Sequence, residues 1–541
     1  MSRSHRPDDE TLFFSNYRWL YNEDLHRKVR TTPLFDVEAL ENIACHAVGA
    51  RRCISWSVLG EGGFNKVFLL TFDNDATAVV RLPSRAFGNV QLATASEVAT
   101  MCYVRERYQP ESTDTNRSLP PRVLAWSASH QNPAGTPYII LEYVPGVPLG
   151  ARWYSLDFQG DDVGVAIVDL ASFEWDLLHE PLSQNGAIYF ATDVSEELRN
   201  RPLYPEPPSD DLRKRLSEKY RIGPTVDREW WRGDYPRVDA NRGPWPDMQT
   251  MIKSAAELQL RAIDTVVDFS SPLVISNSSD VPLLRRMLEI CIRIAPLVVP
   301  NDPALTTPVL NHLDRSLANI IVEPEGHAYI RGVIDWQGTT VSPFFMQCGL
   351  PSAIRYEDDV ITIPEDGSLP PWPEYFDQLS PEEQDVVRIH HRRACRHRLY
   401  NTAVVATDIP RLIALNQPHL SAVVNLPLMI NRCAADGPRE LRDLLIRIQL
   451  FWHEFSDSPC PIDFTLDEMA AHAKEEKDYK VWDAARERLL SEIRCRIDGA
   501  VHADRFEEAK EIMEKCRREW NESEMKGPFP FYEGAHSYVL T

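Results

Sequence analysis

The sequence predicts an α+β chain in two lobes: a small, mostly antiparallel β lobe holding one key helix, then a large α-rich lobe. Two observations predict this order. Short alternating apolar runs bounded by turn residues, with one helical stretch among them, fill the chain as far as Gly146; beyond it apolar residues recur mostly at helical spacing. With 541 residues, 43% of them hydrophobic, the chain exceeds one average domain and can bury one or two large cores.

Residues 1–35 carry no sustained period and read as an N-terminal extension; the first lobe is placed at 36–143 and the second at 144–541. Val37 to Val48 has helical spacing, and Ser55–Leu59, Lys66–Phe72 and Ala76–Leu82 alternate as strands do. Ser96 is a candidate cap for the next helix, with Glu97 in its first turn and Val98, Met101, Cys102 and Arg105 at helical spacing. Pro110, Pro120 and Pro121 then break the pattern before the apolar strand Tyr138–Val144, which stops at Pro145 and Gly146. In the second lobe Val163, Ile167, Leu170, Phe173 and Leu177 form one apolar stripe. From about residue 200 to 250, prolines and Trp230, Trp231 and Trp245 interrupt any long element, and the tryptophans mark an ordered insertion. A second proline-rich loop spans Pro364 to Pro381. The remainder to Glu524 is charged and helical, and Leu489, Ile493, Ile497 and Val501 share one helix face.

Acidic residues outnumber basic ones by 80 to 58, so a net charge of −22 opposes nucleic acid and anionic membrane surfaces as partners. Ten cysteines lie scattered without a CxxC pair, which suits a reducing compartment. The longest apolar candidate, Ile290 to Val299, carries Arg293 and falls short of the roughly 18 residues a membrane helix needs. Arg3, Ser4 and Arg6 could open a mitochondrial leader, but Asp8, Asp9 and Glu10 follow at once, so a cytoplasmic location is expected. Oligomeric state is left open.

The segment His312 to Asn319 reads H-x-D-x-x-x-x-N and runs into the apolar strand Ile320, Ile321, Val322. In a phosphoryl-transfer loop of this spacing the aspartate, Asp314, accepts the proton of the attacking hydroxyl, and Asn319 ligates magnesium. His312 would hold the loop. A second strand, Gly332 to Ile334, delivers Asp335, a carboxylate placed to ligate magnesium bridging nucleotide phosphates. Near the front, Gly60, Gly62, Gly63 and Asn65 form a glycine-rich turn whose backbone amides could approach phosphates. Arg81 ends the following strand where a phosphate-binding cation is expected, and Glu97 would pair with it. The backbone of Glu142 to Val144 is the candidate contact for the adenine of ATP.

These motifs resemble the aminoglycoside phosphotransferase and choline kinase-like superfamily, and more closely the fungal phosphotransferase-family proteins that include the "altered inheritance of mitochondria" group. The resemblance rests on LGEGGFNKVFLL (59–70), VVRLP (79–83), SEVATMCYVRER (96–107), YIILEYVPG (138–146), HLDRSLANIIV and GVIDWQ (312–337). It implies a protein-kinase-like fold, ATP and Mg2+ as cofactors, a small-molecule hydroxyl acceptor, Asp314 as catalytic base, Asn319 and Asp335 on magnesium, and Arg81 at the phosphates. It also brings in a mitochondrial location. The family usually has leucine after the catalytic aspartate; here Arg315 stands there, either near the transferred phosphate or pointing to solvent. A small-molecule kinase is therefore the leading expectation, with a nucleotide-binding pseudoenzyme acting as a scaffold as the alternative. A protein kinase fits less well, since Trp336 and Gln337 follow Asp335 in place of Phe and Gly and no A-P-E segment occurs. His390, His391, Cys395 and His397 lie among arginines at no zinc-motif spacing, and read as a basic helical patch.

Overall fold

The computed structural model of the chain describes residues 5–24, 26, 34–108, 120–153, 162–233, 235–265, 280–415, 417 and 419–531. Arg3, Ser4 and Pro110, singled out above, lie outside the described residues, as does the side chain of Val163.

Tyr17–Trp19 (β1) precedes helix α1 (Val37–Val48) and three successive strands, β2 (Cys53–Glu61), β3 (Asn65–Phe72) and β4 (Thr77–Pro83). After helix α2 (Val90–Tyr108), β5 (Val123–Ser127) and β6 (Tyr138–Glu142) complete a five-stranded antiparallel sheet in the order β2-β3-β4-β6-β5. Period-two alternation divides its side chains between two cores. Phe68, Leu70, Val80 and Ile140 pack with Leu40 and Ala44 of α1, while Ile139 and Leu141 pack with Val98 and Met101 of α2.

Helix α2 starts six residues before the expected cap. Asn89 accepts the Leu92 amide at 3.1 Å and so caps the first turn. Ser96 is instead a buried residue inside the helix, its hydroxyl unpartnered among the described residues.

Beyond the sheet come β7 (Val147–Pro148), α3 (Asp162–Leu178), the paired strands β8 (Ala187–Phe190) and β9 (Tyr220–Gly223), and helices α4 (Met248–Thr265) and α5 (Val281–Val298). Two antiparallel pairs follow. β10 (Pro308–Leu310) pairs with β13 (Val341–Pro343), and between them β11 (Ile320–Val322) pairs with β12 (Ile330–Val333). The chain continues through α6 (Pro381–Thr407), α7 (Ile409–Leu415), α8 (Leu420–Asp436), α9 (Arg439–Leu450), α10 (Leu466–Ile493), β14 (Ala500–His502) and α11 (Phe506–Glu519). Ile252, Leu288, Ile430 and Leu444 from α4, α5, α8 and α9 share the largest apolar core. Trp230 and Trp245 are buried in it with ring centroids 4.7 Å apart, which orders the insertion around them.

Residues 5–24 join the folded body and are no loose extension. β1 pairs antiparallel with β14, and Leu12, Trp19, Leu20 and Tyr21 are buried. The shared helix face expected through Val501 also breaks: α10 ends at Ile493, Arg494 turns left-handed (φ +57°), Ile497 is exposed and Val501 lies in β14. Residues 364–380 hold no element longer than one turn. On α6, His391 stacks on Trp372 of that loop at 3.8 Å and His397 accepts the Tyr356 amide at 3.0 Å, so both rings serve packing of α6 against the chain before it. Among the described residues no helix is long and apolar enough to cross a membrane.

Candidate active site

The H-x-D-x-x-x-x-N segment lies between β10 and β11, and Asp335 follows β12, so the β11–β12 hairpin fixes the spacing of the loop and the late aspartate. The Ile334 amide donates to the Asn319 carbonyl at 2.9 Å, extending that pairing to the loop's end. His312 braces the same junction. Its Nε2 lies 3.0 Å from the Ile334 carbonyl, its amide donates to Asn311 Oδ1 at 2.8 Å, and its ring meets Trp336 edge-on at 4.6 Å. Burial pushes its pKa down to about 4, so the ring is neutral at pH 7. A carbonyl partner places the single proton on Nε2, and Nδ1 has no partner among the described residues. His312 is thus an uncharged brace for the loop.

Asp314 is exposed and already oriented. One carboxylate oxygen accepts Asn319 Nδ2 at 2.9 Å and the other accepts the Ser316 amide at 3.1 Å. Asn319 Nδ2 also reaches the Asp314 carbonyl at 3.1 Å, which leaves its Oδ1 without a hydrogen bond among the described residues. Asp335 adopts φ +63°, a conformation costly for a residue with a β-carbon and one that clusters at functional sites. Its side chain is 44% exposed.

Arg81 joins the sheet to this loop. From β4 it donates through Nη1 to Glu97 of α2, and through Nη2 to Asp335 at 2.6 Å and to Gln337 at 3.2 Å. Gln337 in turn accepts Asn65 Nδ2 at 2.8 Å, so the end of the glycine turn meets the segment after β12. Burial pushes the Glu97 carboxyl up to about 7, Arg81 pulling it down and Asp335 adding to the rise. Burial opposes the charge on Arg81, but Glu97 and Asp335 hold its pKa above the ordinary value. Two carboxylates thus share one guanidinium.

The glycine turn is tighter than its sequence implies. Gly60 lies within β2 opposite Val67, and only Gly62, Gly63 and Phe64 make the turn, closed by the Gly62 amide on the Asn65 carbonyl at 3.0 Å. A β-carbon at Gly60 would meet nothing within 4 Å, so this side of the hairpin is open. At the end of β6 the Glu142 amide is committed to the Arg122 carbonyl at 2.9 Å, and its carboxylate accepts the Arg122 amide at 2.7 Å. The Tyr143 and Val144 backbones, past the end of β6, make no hydrogen bond among the described residues. Among the described residues Glu142 and Val144 share no hydrogen bond or ion pair with the loop residues; they connect to them through β4 and through β7, which pairs with β11. Gly146 is required at that crossing, because a β-carbon would sit 2.5 Å from the Val322 carbonyl oxygen.

Three features escaped the sequence. Gln337 joins Asn65 to Arg81, and only its place two residues after Asp335 marked it. Arg315 points neither to solvent nor toward Asp335: it turns inward onto Glu174 of α3 at 2.5 Å. A cavity of about 190 Å³ opens beside Leu313, lined also by Thr225, Asp227, Trp230, Trp245 and Gln347. There Trp245 Nε1 is buried with no partner among the described residues, and burial with nearby Glu229 pushes Asp227 up to about 6.

Asn319 and Asp335 could hold a hard divalent cation, because an amide oxygen and a carboxylate oxygen remain unengaged on them among the described residues.

Together these elements define a mixed α/β protein of antiparallel sheets and helices, tied through one arginine to a loop of Asp314, Asn319 and Asp335. No family model matches the chain. Among curated proteins it is 27% identical to a subtelomeric hrmA-associated cluster protein of Aspergillus fumigatus over 507 residues, covering 86% of this chain and 93% of that protein. It is 24% identical to the altered inheritance of mitochondria protein 9 of Yarrowia lipolytica (94% of this chain, 87% of that protein) and to that of Candida tropicalis (86% and 81%). The likeness to the altered inheritance of mitochondria group, read first from the motifs, therefore runs along most of the chain. Similar solved structures include a putative fructosamine-3-kinase from Thermobifida fusca, at 11% identity and a TM-score of 0.35, covering 76% of this chain and 98% of that one. Another is the macrolide 2'-phosphotransferase MphH from Brachybacterium faecium, at 14% identity and a TM-score of 0.26, covering 72% and 98%.

Proposed function

We propose that the chain is an ATP- and Mg2+-dependent phosphotransferase with a protein-kinase-like, two-lobed fold, passing the γ-phosphate to a hydroxyl of a small metabolite. Residues 36–143 form the nucleotide-binding lobe and 144–541 the α-rich lobe that carries the catalytic loop. The observation that carries this reading is Arg81, which spans Glu97 of α2 and Asp335 after β12 and brings the glycine hairpin to the loop of Asp314 and Asn319.

In this reading Asp314 accepts the proton of the acceptor hydroxyl at its exposed carboxylate, with Asn319 Nδ2 and the Ser316 amide holding its orientation. The Arg81 guanidinium faces the phosphates while Glu97 holds it from behind. Gly60, Gly62, Gly63 and Asn65 border the phosphates and the Val144 backbone, at the end of Glu142's strand, meets the adenine. Asn319 and Asp335 hold the magnesium ion, which when bound supplies charge neutralisation at the phosphates. The cavity beside Leu313 receives the acceptor. The proposed place of action is the cytoplasm, the mitochondrion being the alternative raised by the names of the relatives.

The test measures thermal stabilisation by ATP·Mg and phosphoryl transfer to a mixed metabolite library. Wild type should be stabilised and should transfer, and Asp314→Ala should keep the stabilisation while losing transfer by about 10²–10⁴-fold. Asp335→Ala should lose both. Stabilisation without any transfer separating wild type from Asp314→Ala would leave the scaffold reading, and no stabilisation at all would end both.

A further inference from the structure

The catalytic loop has a buried side. Arg315, directly after Asp314, is 13% exposed and donates through Nη1 to Glu174 Oε1 at 2.5 Å. Glu174 is wholly buried on α3, and its other oxygen accepts the Tyr400 hydroxyl from α6 and faces Arg411 Nη2 of α7 at 3.0 Å. Arg411, itself 1% exposed, also donates to the carbonyls of Cys348 at 2.8 Å and Gly349 at 3.2 Å. Burial would push the Glu174 carboxyl up, yet Arg411, Arg315 and the Tyr400 hydroxyl outweigh it and hold the pKa below its ordinary value, so the group is ionised.

One carboxylate thus serves two arginines, and Arg411 alone would neutralise it. Charge balance in the core does not require Arg315. What Arg315 adds is a fixed point on the loop itself, one residue from Asp314 and four from Asn319, between the brace at His312 and the Gly150 amide, which donates to the Leu317 carbonyl at 3.0 Å.

We propose that Arg315 is a positioning residue for phosphoryl transfer, anchoring the backbone that carries Asp314 and Asn319 to Glu174 and, through Arg411 and Tyr400, making α6 and α7 part of the active-site framework. The inference rests on the phosphotransferase reading. A guanidinium reaching inward fixes loop geometry with little direct effect on nucleotide affinity, so its loss should fall on kcat and spare KM.

The test compares full-length wild type, Arg315→Leu, Arg315→Lys and Glu174→Gln by three measurements: ATP kinetics, thermal unfolding, and amide hydrogen exchange of residues 313–319 followed by mass spectrometry. Arg315→Leu should lower kcat about 10–100-fold with KM for ATP within about twofold, and speed exchange in the loop about tenfold or more. Arg315→Lys should recover part of both, because its ammonium can reach Glu174 without the fork. Glu174→Gln, which keeps the shape but also strands Arg411, should speed exchange in the loop at least as much, and Arg315→Lys stands in if Arg315→Leu does not fold. A rise in KM with kcat unchanged would overturn the proposal, since it would put Arg315 on the phosphates. Unaltered loop exchange would also overturn it. If wild type shows no transfer, the function reading fails by itself, while the exchange comparison still decides whether Arg315 holds the loop.

Discussion

Two arginine–carboxylate clusters flank the loop from His312 to Asn319, and their stoichiometries are opposite. In front, Arg81 faces two carboxylates, Glu97 and Asp335, and the cluster opens to solvent at Asp335. Behind, Glu174 faces two arginines, Arg315 and Arg411, and the cluster is closed. The front presents the Asp335 carboxylate on its open side, where a cation from outside can meet it. The rear carries an excess positive charge that the chain answers from within, with the carbonyls of Cys348 and Gly349. In the proposed function the open cluster is where the ligand binds, and the closed one holds the loop still.

The rear cluster should give the largest effect on stability. Glu174→Ala strands two guanidinium groups, one of them fully buried, and should cost about 3–5 kcal/mol in urea unfolding. A loss below about 1 kcal/mol would mean that carbonyls alone satisfy the arginines and that the clusters do not differ as described.

His312 lies between the clusters and should report on both. Its folded pKa of about 4 lies below the ordinary 6.5, so its contribution is complete above pH 6.5 and is lost as pH falls through 4. The whole difference is worth about 3 kcal/mol, and ring titration by NMR measures it directly. Arg315 lowers this pKa and Asp335 raises it, so Arg315→Leu should move the titration up and Asp335→Asn should move it down. Shifts of the same sign in both variants would break the contrast.

The smallest effect on stability is expected at the front. Asp335→Asn relieves two carboxylates competing for Arg81, so unfolding free energy should change by no more than about 1 kcal/mol. Stabilisation by ATP·Mg should nonetheless disappear in thermal unfolding. Retention of that stabilisation would remove Asp335 from the proposed metal site.

Four strands of the five-stranded sheet were legible as short apolar runs between turn residues, whereas β5, lying after Pro120 and Pro121, was not. The Arg81–Glu97 pair was legible from the order of strand and helix, although Glu97 lies inside α2 and not in its first turn, and the reach of Arg81 to Asp335 was not read. The rear cluster was harder to see, although Glu174 lies on the apolar stripe of α3 between Leu170 and Leu177, where a charged residue needs a buried partner. Sequence separation hid those partners: Tyr400 lies 226 positions away and Arg315 lies 141 away. Ser96 failed as a cap because a helix start depends on which polar side chain reaches the free amides, and Asn89 does so first. Residues 5–24 have no period of their own because their structure comes from the far end of the chain.

That last contact has a consequence for the order of assembly. Lys66, beside the glycine turn, donates to the Phe14 carbonyl at 2.5 Å, the Asn16 amide donates to Glu61 at 3.0 Å, and β1 is held in turn by β14. Trp19 and its partner Asp498 stand 479 positions apart, and closing so long a loop costs roughly 5 kcal/mol of chain entropy that the contact must recover. On a ribosome this ladder has to wait until residue 502 has emerged, long after the five-stranded sheet has its strands. The glycine hairpin is therefore made long before the strand that completes its bracing.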